Sequence, residues 1–148
     1  TFKIITNMAT TAEITITSDI LAGFSTVTKS MTLTKAGTSN DITETTGYSR
    51  RKLASNSKVD LITMANELVE PLDNTAGKVY IKNVGNSSGV IDKSIGVKVL
   101  INSVEVGVLY GGDWLLMPVT VVDGEDIEVQ PSTDDVVILE YAMYYEEG

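Results

Sequence analysis

Gly96-Val97-Lys98-Val99-Leu100-Ile101-Asn102-Ser103-Val104-Glu105-Val106-Gly107-Val108-Leu109-Tyr110 is the stretch that decides the fold class. Apolar and polar residues alternate on both sides of Asn102-Ser103, which is the period of a half-buried strand. A two-residue turn there sets Ile101 opposite Val104, Val99 opposite Val106 and Val97 opposite Val108. All six then share one face, with Lys98, Leu100, Glu105 and Gly107 on the other. Asn tolerates the positive φ that such a turn demands, so the stretch predicts a β-hairpin.

Further strands follow outward from this hairpin. Lys78-Val79-Tyr80-Ile81-Lys82 precedes it, followed by a turn-rich loop over Asn83-Val84-Gly85-Asn86-Ser87-Ser88-Gly89. Gly111-Gly112-Asp113 turns the chain into Trp114-Leu115-Leu116-Met117. Asp123-Gly124-Glu125-Asp126 and Pro131-Ser132-Thr133-Asp134-Asp135 are further turns. In the last strand Val137, Leu139, Tyr141, Met143 and Tyr145 line one face. Strands at this spacing, joined by Gly, Asp and Asn turns with no long helix, predict a mainly β fold, a β-sandwich of jelly-roll type over residues 76–148.

The first 75 residues read differently. Fourteen of the 18 threonines fall within residues 1–46. Thr is stiff at χ1 and favours extended backbone. Glu13-Ile14-Thr15-Ile16-Thr17 and Met31-Thr32-Leu33-Thr34 alternate as strands do. Large apolar residues are sparse, so residues 1–75 are expected to form an extended arm or a small β subdomain. Val59, Leu61 and Thr63 alternate as a strand, with at most one helical turn over Met64–Val69 before Pro71.

The chain has 148 residues, 11 basic and 20 acidic, for a net charge of −9. Residues 1–74 carry net −1 and residues 75–148 net −8. An acidic field repels polyanions, so neither nucleic acid nor an anionic membrane is an expected partner. No apolar run nears the roughly 18 residues that span a bilayer. The opening at Thr1, with no basic and apolar leader, reads as a mature N-terminus made in a cytosol. His and Cys are absent. That removes disulfides, the usual zinc sites and Ser-His-Asp or Cys-His catalysis.

Other patterns carry less chemistry. Ser55-Asn56-Ser57-Lys58 matches the Ser-x-x-Lys nucleophile pattern, but so does Ser49-Arg50-Arg51-Lys52, and neither has the partner motifs. Asp123, Glu125, Asp126 and Glu128 gather carboxylates of the kind Ca²⁺ takes, without EF-hand spacing, so an acidic turn is the expectation and no cofactor or metal is assigned. Arg50, Arg51 and Lys52, with Lys58 nearby, form the one basic cluster, suited to pairing with an acidic protein surface. Tyr110 and Trp114 suit a subunit interface or stacking on a sugar ring.

Gly77-Lys78-Val79-Tyr80-Ile81-Lys82-Asn83, Gly111-Gly112-Asp113-Trp114-Leu115-Leu116-Met117-Pro118 and Leu139-Glu140-Tyr141-Ala142-Met143-Tyr144 give the second half a further character. It resembles structural proteins of tailed-phage virions, particularly the small β-sandwich proteins that decorate or cement capsids. Thr46-Gly47-Tyr48-Ser49-Arg50-Arg51-Lys52-Leu53 is similar to a segment of the same kind. The resemblance implies a non-enzymatic virion protein, assembled in the host cytoplasm, with the major capsid protein or other virion proteins as partners. It also implies a homo-oligomer, with a trimer among the forms it allows. Residues 1–58 would grip the shell, with Arg50, Arg51, Lys52 and Lys58 as contacts. The other reading is a tail-fibre or adhesion module that binds carbohydrate through Tyr110 and Trp114.

Overall fold

The computed structural model describes residues 9–20, 26–42, 44–64, 75–86, 88 and 90–146. Its described elements are eleven strands: β1 (Thr11–Thr17), β2 (Thr26–Thr32), β3 (Glu44–Thr45), β4 (Ser49–Leu53), β5 (Val59–Ile62), β6 (Thr75–Gly85), β7 (Val97–Ile101), β8 (Val104–Leu109), β9 (Trp114–Val121), β10 (Ile127–Pro131) and β11 (Val137–Tyr145). The chain divides into two compact units, Thr1–Thr43 and Glu44–Gly148. The expected helical turn after Thr63 falls mostly on residues 65–69, outside the described residues.

The second unit is a β-sandwich. One sheet has the order β3-β11-β6-β9, with β4 also paired to β11. The other has the order β5-β10-β7-β8. The pairs β7·β8, β6·β9, β5·β10 and β4·β11 are all antiparallel. They are successive rungs of one long ribbon whose tip is the Asn102-Ser103 turn. The ribbon closes on itself where β11 meets β6 and β10 meets β7. Each strand turns one face inward, because side chains alternate with a period of two. Val79 and Ile81 of β6, Val97 and Val99 of β7, Ile127 and Val129 of β10, and Leu139 and Met143 of β11 meet in a single apolar core. Burying each such side chain contributes about 1.5–3 kcal/mol.

The hairpin turn forms as read. Asn102 and Ser103 have φ of 46° and 66°, the left-handed pair of a type I′ turn. Its register departs from the simple alternation. Ile101 faces Val104 and Leu100 faces Glu105, but Val99 faces Gly107 and Val97 faces Leu109. Val106 is the extra residue of a β-bulge. The six-residue apolar face is therefore split. Val97 and Val99 are buried, while Val104 and Val106 are exposed.

Two further expectations are corrected. The unit boundary lies between Thr43 and Glu44, not near residue 75, because β4 and β5 are sheet strands of the sandwich. Their backbones satisfy β11 and β10, a bond that polar side chains do not disclose. Asn83 does not open a loop. It lies within β6, 1% exposed.

The first unit holds a separate hairpin, β1 against β2, with Thr11 opposite Thr32 and Thr17 opposite Thr26. One face carries Thr11, Glu13, Thr15, Thr17, Thr26, Thr28, Ser30 and Thr32. The other carries Ala12, Ile14, Ile16, Val27 and Met31, with Lys29 opposite Ile14. Ile14, Ile16 and Met31 are exposed. After β2, Thr34 bridges Asp41 around a turn in which Gly37 supplies φ of 66°. Leu33 and Ile42 are the buried apolar residues described in this unit.

Candidate functional site: the outer face of one sheet

The outward positions of the β4-β11-β6-β9 sheet form cross-strand rows. Arg50 faces Glu140, Glu140 faces Lys82, and Lys82 faces Trp114. In the next row Ala142 faces Tyr80, which faces Leu116. Beyond it Thr45 faces Tyr144, Tyr144 faces Lys78, and Lys78 faces Pro118. Lys52 lies opposite Ile138 on the same side. Neighbouring strands sit about 4.8 Å apart, so a four-strand row spans about 14 Å.

Hydrogen bonds order the centre of this face. Arg50 donates Nη2 to Glu140 Oε2 at 3.1 Å and Nε to the same oxygen at 3.3 Å. Tyr80 donates its hydroxyl to Glu140 Oε1 at 3.2 Å. Burial, and then the bond to Glu140, pushes the Tyr80 hydroxyl up to about 12. Tyr48 packs edge-on against Tyr80 with ring centroids 5.8 Å apart. Its hydroxyl lies 3.3 Å from that of Tyr144, which burial first and Tyr48 second push up to about 12. Both phenols therefore remain neutral donors in any ordinary buffer.

The structure sorts the residues singled out from the sequence. Arg50, Lys52 and Trp114 come together on this face. Arg51 points to the opposite side of β4, where its guanidinium donates to the Asp60 carbonyl at 2.6 Å and ties β4 to β5. Lys58 immediately precedes β5 of the other sheet, paired with Glu128 at 2.8 Å and donating to Ser103 Oγ at 2.7 Å. Tyr110 lies in the loop after β8, 47% exposed. Sequence reading missed Lys78, Tyr80, Lys82 and Glu140. The signal was available: they are the alternate members of strands whose core-facing residues were recognised.

The acidic turn is structural. Gly124 takes φ of 86°, and Asp126 accepts the Met64 N–H at 3.0 Å. Glu128 pairs with Lys58, so these carboxylates serve separate partners. Among the described residues no group of three or more His, Cys, Asp or Glu could hold a metal ion.

Glu128 has a consequence for acid stability. It is buried and accepts the Ser103 N–H besides the Lys58 ammonium. The Lys58 bond, opposed by burial and helped by Ser103, holds its carboxyl below the ordinary 4.5. The folded form thus prefers the carboxylate. Its contribution is complete above pH 4.5 and is lost as pH falls through the lowered value. Urea midpoints measured down through this range should fall less for Glu128→Gln than for the native chain. An unchanged acid limb in the variant would show that Glu128 contributes nothing to it.

No family model matches the chain, and no curated protein sequence matches it. Among the described residues no helix is long and apolar enough to cross a membrane.

Proposed function

We propose that the protein is a non-enzymatic structural component of a tailed-phage virion that decorates or cements the capsid. The observation that carries this reading is the β1–β2 ribbon. A two-stranded hairpin is at best marginally stable in water, and here its apolar face leaves Ile14, Ile16 and Met31 exposed. Such a ribbon suits docking on a neighbouring sheet, where backbone bonds supply affinity and the apolar face supplies burial. Weak contacts of this kind suffice when many copies sit on one lattice.

Two further features support the reading. The pairing of first strand with last through β4 to β11, rolled so that β11 meets β6 and β10 meets β7, supports the jelly-roll form of the sandwich. The carboxylates with the clearest local partners are engaged in structural bonds: Glu128 to Lys58, Glu140 to Arg50, Asp126 to Met64 and Asp134 to Asn56. That arrangement favours a scaffold over an acid–base site.

A chain lacking residues 1–43 tests the proposal, because the sandwich unit begins at Glu44 and its core cluster draws only on Leu53 and later residues. The truncated protein should fold and yet fail to label particles that the full chain labels over the head by immunogold. Equal labelling by both would remove the ribbon from the attachment. Label confined to the tail tip would favour glycan adhesion through Trp114 and Tyr110, each 47% exposed.

A further inference from the structure

We propose that the outer face of the β4-β11-β6-β9 sheet binds the acidic surface of a second copy of this chain, in a head-to-tail contact. The inference does not depend on the virion reading. It starts from charge. Strand positions on this face carry Arg50, Lys52, Lys78 and Lys82 against a single carboxylate, Glu140. The chain as a whole has 20 acidic and 11 basic residues, so the rest of its surface is more acidic still. Glu140 is engaged by Arg50 and Tyr80. Lys52, Lys78 and Lys82 form no ion pair among the described residues. Three cations thus face outward with their charge unanswered.

The same face carries the residue types that dominate association energetics. Trp114 is 47% and Tyr48 69% exposed, and Arg50 lies on β4, at the opposite end of the cross-strand row from Trp114 on β9. Trp, Tyr and Arg are the residues most enriched among those whose loss weakens an interface. Tyr48 is braced by Tyr80 and Tyr144, so little side-chain freedom is lost when a partner covers it.

The complement is present on the chain itself. Glu105, Asp123, Asp134 and Asp135 are exposed and lie off this face. Their opposite sign decides the geometry. Two copies meeting face to face would set lysines against lysines, so a twofold contact through this surface is disfavoured. A basic face set on acidic turns elsewhere on the chain is heterologous, and a heterologous contact builds a closed ring or an open chain. Net repulsion between like-charged copies is damped beyond about 8 Å at physiological salt, whereas the contacting pairs lie within that distance.

Sedimentation velocity of the full chain across a dilution series near physiological salt is the test. The native protein should associate beyond a dimer as concentration rises. Lys78→Glu with Lys82→Glu should weaken that association at least about tenfold, as two contacts reverse sign. Lys93→Glu with Lys98→Glu changes the net charge equally from outside the face and should leave it intact. Lys52→Glu, at an exposed edge position, gives a smaller loss and guards against misfolding of the double variant. A native chain monomeric throughout would overturn the proposal and leave the face to an unrelated acidic partner. So would equal effects of the two double variants, or a dimer that neither changes.

Discussion

Replacing Asn83 with Ala is expected to remove about 3–5 kcal/mol of folding free energy, a large share of the roughly 5–15 kcal/mol that holds a domain together. Asn83 is 1% exposed near the C-terminal end of β6. Its Nδ2 donates to the carbonyls of Ile95, at 3.2 Å, and Leu109, at 3.1 Å. Its Oδ1 accepts the Gly85 N–H at 3.1 Å. Ala deletes all three bonds at once and leaves three backbone groups buried without them, which costs more than the bonds themselves are worth. Asn83→Asp sharpens the test. An ionised carboxylate would keep the Gly85 bond but turn a negative oxygen toward two carbonyls. Protonation restores one donor, so the folded state of that variant favours the neutral acid. Its stability relative to the native chain should improve as pH falls from 7 toward 4, opposite in sign to the Glu128 effect. Urea midpoints for the three proteins at both pH values provide the check. A loss below about 1 kcal/mol for Asn83→Ala would mean that water replaces the side chain without cost.

Asn83 also shows where sequence reading stops. Asn followed closely by Gly reads as a turn, since both tolerate positive φ. What overrides that is tertiary: the carbonyls it satisfies belong to residues 12 and 26 positions away. The hairpin at residues 96–110 marks the same limit more gently. Its turn was legible because Asn102-Ser103 carries the signal locally. Its register was not, because a bulge leaves the alternation of β8 undisturbed to the eye while moving Gly107, not Val106, opposite Val99. Leu109 is consequently buried where Val108 was expected.

The candidate site was half legible for a related reason. Arg50, Arg51 and Lys52 stood out as a run, yet a strand sends neighbours to opposite faces, so only Arg50 and Lys52 reach the outer surface. Lys78 and Lys82 lie some thirty residues further on and join them only through β11. Alternation within each strand places these residues outward, but no local pattern announces that the strands meet to make one patch. It exists because the ribbon rolls its first strand against its last.

Gly111→Ala is expected to destabilise the sandwich by about 3 kcal/mol, although Gly111 has no positive φ to explain the need for glycine. The reason is space. A Cβ there would lie 2.2 Å from the Asp92 carbonyl oxygen, 2.6 Å from its carbon and 3.0 Å from its nitrogen. Backbone atoms have no alternative rotamer, so the segment around Asp92 must move. That segment is anchored: Ser94 donates its N–H to Asp92 Oδ1 at 2.9 Å, and Asn86 accepts the Val90 N–H at 3.1 Å. On its other side Gly85 approaches just as closely, with a Cβ placed 2.3 Å from the Val90 carbonyl. Gly112 is the control. It takes φ of 92°, but its Cβ would meet nothing nearer than 3.6 Å, so Gly112→Ala should cost only about 1 kcal/mol of backbone strain. The two glycines therefore separate crowding from conformation in adjacent positions. Asn83 links this crowding to the outer face, because its N–H donates to the Asp113 carbonyl at 3.0 Å and its carbonyl accepts the Gly112 N–H at 2.8 Å. Trp114 follows directly. If displacement of the Asp92 segment by Gly111→Ala also strains the Asn83 bonds, the double variant with Asn83→Ala should lose less stability than the two singles together. The emission of Trp114, the only tryptophan, should shift in both single variants before unfolding begins. Additive losses with native Trp114 emission would show instead that the two residues act on separate parts of the fold.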